Sequence, residues 1–239
     1  VDILEADAIQ LGDGTSGVTS SGAITIETTN GAITTGNSIT TTVGNHNITL
    51  GSGGTNDITV GHTLTANGSG VIDINSGAGF TLSDGITLSS TSGGITIDTS
   101  GVNALNVNGT VQTGGTGTIV LTGSNAITMD ATSLIQSADG AITLSSGAGG
   151  VAVDVITSTN SGEISVTATG STIDEVDDDT AANISTGGVL SLTAGDAIGA
   201  VAASGELDIN VGTLRVSGAG TVDILEADAI QLGDGTSGV

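Results

Sequence analysis

IDINSGAGFTLSDGITLSSTSGGITI, residues 72–97, holds one complete turn of the fold and the start of the next. Three aliphatic–polar–aliphatic triplets, Ile72-Asp73-Ile74, Phe80-Thr81-Leu82 and Ile86-Thr87-Leu88, are followed by a fourth, Ile95-Thr96-Ile97. Alternation with period two marks a strand that buries one side. β-branched residues fit a pleated surface, and the Gly, Asn, Asp and Ser between triplets are turn formers. The same unit recurs as Ile24-Thr25-Ile26, Ile48-Thr49-Leu50, Ile58-Thr59-Val60, Ile127-Thr128-Met129, Ile142-Thr143-Leu144, Ile164-Ser165-Val166 and Leu190-Ser191-Leu192. No window of 11 or more residues carries a helical apolar stripe. The chain is expected to be all-β, built from very short strands.

The strands group in threes. The leading aliphatic returns at Ile24, Ile48, Ile72, Ile95, Ile119, Ile142, Ile164, Leu190 and Leu214, with gaps of 24, 24, 23, 24, 23, 22, 26 and 24. A repeat of this length and content signals a solenoid. Three strands and three corners per coil predict a parallel β-helix of triangular section. An antiparallel sandwich has similar turn spacing but no reason to hold this register. Each stacked aliphatic is worth roughly 1.5–3 kcal/mol on burial. The middle residues of the triplets, Thr25, Thr49, Asp73, Thr96, Val120, Thr143, Ser165, Ser191 and Arg215, are expected to face outward as a ladder rich in hydroxyls.

Residues 1–18, VDILEADAIQLGDGTSGV, return letter for letter as residues 222–239. The expected organisation is one continuous solenoid over 1–239, with 1–221 as one tandem period and 222–239 as the start of the next. On this reading the two ends are not natural termini. About nine coils per period, stacked about 4.8 Å apart, give a rise of roughly 43 Å. A solenoid end exposes strand edges and open core, and the following period is its natural cover. The pattern points to a structural or adhesive fibre that partners itself end to end, with lateral association between fibres as a further contact.

Composition narrows the partners. The chain has 41 Gly, one Phe and no Trp, Tyr, Pro or Cys, and 36% of its residues are apolar, enough aliphatic material to fold. Twenty-five Asp and Glu stand against a single basic residue, Arg215, for a formal charge of -24. Nucleic-acid binding needs Lys and Arg against phosphate, and anionic membrane surfaces need them too; neither partner is expected. No stretch approaches the ~20 apolar residues of a membrane span. Without cysteine there is no disulfide framework and no thiolate metal site. Divalent cations are the charged partners this balance suits.

GAITIETTNGAITTGN (residues 22–37), DGITLSSTSGGITIDTSG (84–101) and DGAITLSSGAGG (139–150) resemble the repeat regions of filamentous-haemagglutinin-like proteins and other giant bacterial surface β-solenoids. The similarity extends over nearly the whole chain, although those repeats usually tolerate basic residues and this one nearly excludes them. The resemblance implies a right-handed parallel β-helix, export to the cell exterior, and service as a stalk, sheath, fibre or adhesin of the bacterial surface. It carries over no catalytic residues.

The densest charge is Asp174, Glu175, Asp177, Asp178 and Asp179, between the strand starts Ile173 and Ile184, in the coil with the widest gap. Clustered carboxylates suit Ca²⁺, making these five the candidate metal set and Ca²⁺ the candidate ion, with no cofactor required. The spaced Asp/Asn pattern of a Ca²⁺ loop is missing, so a solvated loop is the competing reading. Asp2, Glu5, Asp7 and Asp13 recur as Asp223, Glu226, Asp228 and Asp234 and read as a solvated face. His46 and His62, 16 residues apart, fit no coil spacing and make a poor metal pair. Asn47, Asn67, Asn108 and Asn183 open N-x-Ser/Thr sequons, which composition alone accounts for. No nucleophile or phosphate-loop motif is present, and transition-state stabilisation of a cleaved polysaccharide calls for cations or metals beyond Arg215. The chain is therefore not expected to be an enzyme. A flat hydroxyl face that binds a ligand or ice is the alternative to the fibre, although Asp73, Val120 and Arg215 interrupt it.

Overall fold

The computed structural model describes residues 1–177, 181–199, 205–218 and 220–232. Among them no residue is helical, and strands mostly three to five residues long wind into a parallel β-solenoid of about nine turns. Each coil crosses three faces. Face 1 opens with Asp2–Glu5, Ile24–Thr28 and Ile48–Ser52; face 2 with Ile9–Leu11, Ile33–Thr35 and Ile58–Val60; face 3 with Val18–Ser20, Ile39–Thr41 and Leu64–Ala66. Every strand pairs in parallel with its counterpart one coil away, so Ile24 stacks on Ile48, Ile48 on Ile72 and Ile72 on Ile95.

Alternation decides the core. On face 1 the leading residues from Ile24 to Leu190 are fully buried and Leu214 is nearly so. Face 2 supplies Ile33, Ile58, Phe80, Leu105 and Ile127 in register, the lone aromatic seated between Ile58 and Leu105. Face 3 contributes Ile39, Leu64, Leu88, Val111, Ile135 and Ile156. A single apolar column thus runs the length of the rod.

The strand spacing anticipates separate short strands at Ile184 and Leu190. Instead Ile184–Ala194 and Leu207–Gly218 each run without a break from face 3 round to face 1, with a register irregularity between Thr186 and Val189. Only Gly187, Gly188 and Val189 lie between Thr186 and Leu190, too few for a loop, so pairing continues through the bend. This joins faces 3 and 1 into a 19-stranded sheet, while face 2 remains a separate sheet of eight strands among the described residues.

The corner leading from face 3 to face 1 carries a glycine column: Gly70, Gly93, Gly117, Gly140 and Gly162. A methyl on Gly117 would lie 2.3 Å from the Gly93 carbonyl oxygen, and one on Gly140 1.9 Å from that of Gly117. Neither glycine has positive φ. Close stacking of coils, rather than backbone handedness, excludes a side chain there. Inner hydroxyls complete the rail: Ser90 donates to the Gly70 carbonyl at 2.7 Å, Thr113 and Ser137 to that of Gly117 at 2.7 and 3.1 Å, and Thr186 to that of Gly162 at 2.7 Å.

The duplicated ends fold into matching strands with different partners. Asp2–Glu5 pairs with Thr25–Thr28 on face 1, whereas Ile224–Glu226, its copy, pairs with Leu207–Ile209 on face 3. Ile9–Leu11 pairs on face 2, and its copy Gln231–Leu232 pairs with Thr213 and Leu214 on face 1.

Candidate functional site

The outward ladder of face 1 stands where the triplets place it. Thr25, Thr49, Asp73, Thr96, Val120, Thr143, Ser165, Ser191 and Arg215 are register neighbours from coil to coil. All but exposed Arg215 are half-buried. The other faces carry ladders of their own. Face 2 aligns Gln10, Thr34, Thr59, Thr81, Asn106 and Thr128, where the Thr128 hydroxyl donates to Asn106 Oδ1 at 2.6 Å. Face 3 aligns Ser89, Gln112, Gln136 and Thr157, and the first three line a shallow groove of about 370 Å³. These surfaces offer hydroxyl and amide groups at regular spacing.

Strand alternation divides the acidic segment. Asp174 and Glu175 are successive residues of Ile173–Glu175, so Asp174 points outward beside Ala152 while Glu175 points inward beside Val153. Glu175 is 4% exposed, Asp177 is half-buried, and Asp178 and Asp179 lie outside the described residues. No group of three or more His, Cys, Asp or Glu is placed to hold a metal ion among the described residues.

Glu175 lies in an inward column that runs through Val60, Leu82, Val107 and Met129, with Val153 directly before it. Asp154, Asn183 and Asp208 are also buried, at the face 2 to face 3 corner of successive coils. The Asp208 amide donates to Asn183 Oδ1 at 3.2 Å and the Asn183 amide to the Asp208 carbonyl at 2.8 Å. Sequence reading groups Glu175 with its acidic neighbours. The signal that separates it is its place as the second inward residue of the triplet Ile173-Asp174-Glu175. Sequence reading also misses the inner hydroxyls, although Thr or Ser recurs two residues after many triplets, as in ITIET, ITLGS and IDINS.

At the other end of the chain, Asp2, Glu5, Asp7 and Asp13 are exposed. Asp13 Oδ1 accepts the Thr15 hydroxyl at 2.6 Å and the amides of Ser16 and Thr15 at 2.8 and 2.9 Å. These bonds, the Thr15 hydroxyl foremost, hold the Asp13 carboxyl down at about 2 from an ordinary 3.8. In the copy, Asp223 and Asp228 are exposed, Glu226 is half-buried, and Asp234 lies outside the described residues. His46 and His62 occupy different corners, His62 Nδ1 lying 3.1 Å from the Thr35 carbonyl oxygen. Asn183, one of the sequon asparagines, is buried.

The last described coil leaves an apolar cleft of about 440 Å³ among Leu214, Val216, Val222, Ile224, Ile230 and Leu232. No helix among the described residues is long and apolar enough to cross a membrane. No protein-family model, curated protein or solved structure matches this chain.

Proposed function

We propose that the chain is a structural repeat of a long extracellular filament, a stalk, sheath or adhesin fibre that supplies length, stiffness and surface attachment. One observation carries this reading: an uninterrupted aliphatic column reaches a coil edge where the apolar cleft is lined by the residues that begin a second copy of the opening sequence. A stack of identical units covers such an edge with its own continuation. The resemblance of the repeats to filamentous-haemagglutinin-like regions supports the location outside the cell. The large negative charge makes divalent cations natural mediators between neighbouring rods, without a requirement for a bound metal.

Immunogold labelling of producing cells with antibodies to residues 1–221 tests the proposal. Label regularly spaced along extracellular filaments is expected; label confined to the cell interior overturns it. The rival reading, a ligand- or ice-binding module, draws on the aligned hydroxyls of face 1. Asp73, Val120 and Arg215 break that lattice, so no thermal hysteresis is expected from the purified chain.

A further inference from the structure

We propose that the shallow groove on face 3 binds a neutral oligosaccharide lying along the solenoid axis. Gln112 and Gln136 are register neighbours, with Ser89 one coil before them, and all three line it. Beside them runs a second column, Thr91, Gly114, Ala138 and Thr159, each one residue past the end of its face 3 strand and each also lining the groove. Two small residues between two threonines leave a trough three coil steps long, roughly 14 Å. Stacking keeps it low at Gly114, where a methyl would lie 2.2 Å from the Thr91 carbonyl oxygen.

The chemistry of the lining selects the ligand. Ser90 and Thr113 turn inward and donate to the Gly70 and Gly117 carbonyls, but the outward amides are uncommitted. The Gln112 carboxamide makes no hydrogen bond among the described residues. That of Gln136 reaches the Thr159 hydroxyl at 3.4 Å, long for an N–H···O bond. A carboxamide both donates and accepts, which adjacent sugar hydroxyls match. No lining residue is charged, although the chain carries 25 Asp and Glu. The corner carboxylate beyond Ala138, Asp139, instead accepts the Ser161 amide and hydroxyl at 3.3 and 3.4 Å. A cation therefore finds no carboxylate in the groove, and an anion meets the field of a chain of charge -24. An apolar ligand would strand the amides away from water. An extended peptide is read by strand addition at a sheet edge, and Thr110–Thr113 already has a strand on each side.

The volume, about 370 Å³, lies in the range of small-ligand sites. Each hydrogen bond to the sugar replaces one to water, so a single groove binds weakly. The consequence for attachment rests on the fibre reading: in a filament the groove recurs once per period, and weak sites repeated along one glycan reinforce each other. The site itself needs only the single chain.

NMR titration of the isotope-labelled 239-residue chain with cellotriose, maltotriose and N-acetylchitotriose tests the site, with trigalacturonate as the anionic comparison. Saturable shifts of the Gln112 and Gln136 side-chain amides are expected with at least one neutral sugar, and none with trigalacturonate. The double variant Gln112→Ala/Gln136→Ala should bind about tenfold more weakly. Ala138→Leu should fill the trough and weaken binding as well, while Asn106→Ala on face 2 should leave it unchanged; an otherwise unaltered spectrum shows that each variant keeps the fold. Absence of a saturable shift with all the neutral sugars overturns the proposal, as does binding that survives both groove variants or an equal response to trigalacturonate. Groove signals that move with protein concentration alone would assign the trough to a second copy of the chain and overturn it too. The titration reads the groove alone, whereas the length of multi-period particles reads the fibre, so either can fail without the other.

Discussion

At the scale of single residues, inward and outward positions in one triplet have very different consequences. Ile95 is fully buried between Ile72 and Ile119, and truncation leaves a cavity that neighbours on both sides cannot fill. Ile95→Ala should cost about 2–5 kcal/mol, while Thr96→Ala, half-exposed, should stay within about 0.5 kcal/mol; urea denaturation of the two variants measures both. Asp13 offers a pH-dependent counterpart. Its folded carboxyl is held below its ordinary value, so the stabilisation is present above about 3.8 and is lost as pH falls through about 2. An NMR titration should place its midpoint near 2, and Thr15→Ala should raise it by removing the leading hydrogen bond. An unchanged midpoint in Thr15→Ala would assign the shift to the backbone amides alone.

At the scale of strands and corners, the glycine rail and the acidic strand test two further points. Gly85 has φ +68° with open space around its missing side chain, whereas Gly117 has the Gly93 carbonyl in the way. Gly85→Ala incurs only the left-handed penalty of roughly 1–2 kcal/mol. Gly117→Ala must push neighbouring coils apart and should unfold at lower denaturant than Gly85→Ala; equal midpoints would show that the corner yields. Glu175 is buried while Asp174 beside it faces outward, so Glu175→Leu should shift the urea midpoint further than Asp174→Leu. A lower urea midpoint would mean that the glutamate's own contacts hold the corner. The strands themselves are legible in sequence because period-two alternation acts locally. The face 1 column and its outward ladder follow directly from the spacing of Ile24, Ile48 and Ile72. The splitting of Asp174 from Glu175 is readable in principle, since adjacent residues of a strand face opposite ways, but the density of charge masks the alternation. The glycine rail is not readable, because its cause is the carbonyl one coil below, a contact between residues about 23 apart.

At the scale of the whole molecule, stability is distributed along the axis, since each coil touches only its neighbours. Such a rod gains length without needing a new core. The proposed fibre extends that logic past the apolar edge around Leu214 and Ile230. About nine coils, each about 4.8 Å deep, give the proposed 221-residue period a length of about 43 Å. The decisive measurement is the length of single-chain particles carrying one, two and three periods, by electron microscopy or small-angle scattering. Continuous stacking predicts rods of constant width that lengthen by about 43 Å for every period added. Particles that thicken instead, or separate into beads joined by slack chain, would contradict it.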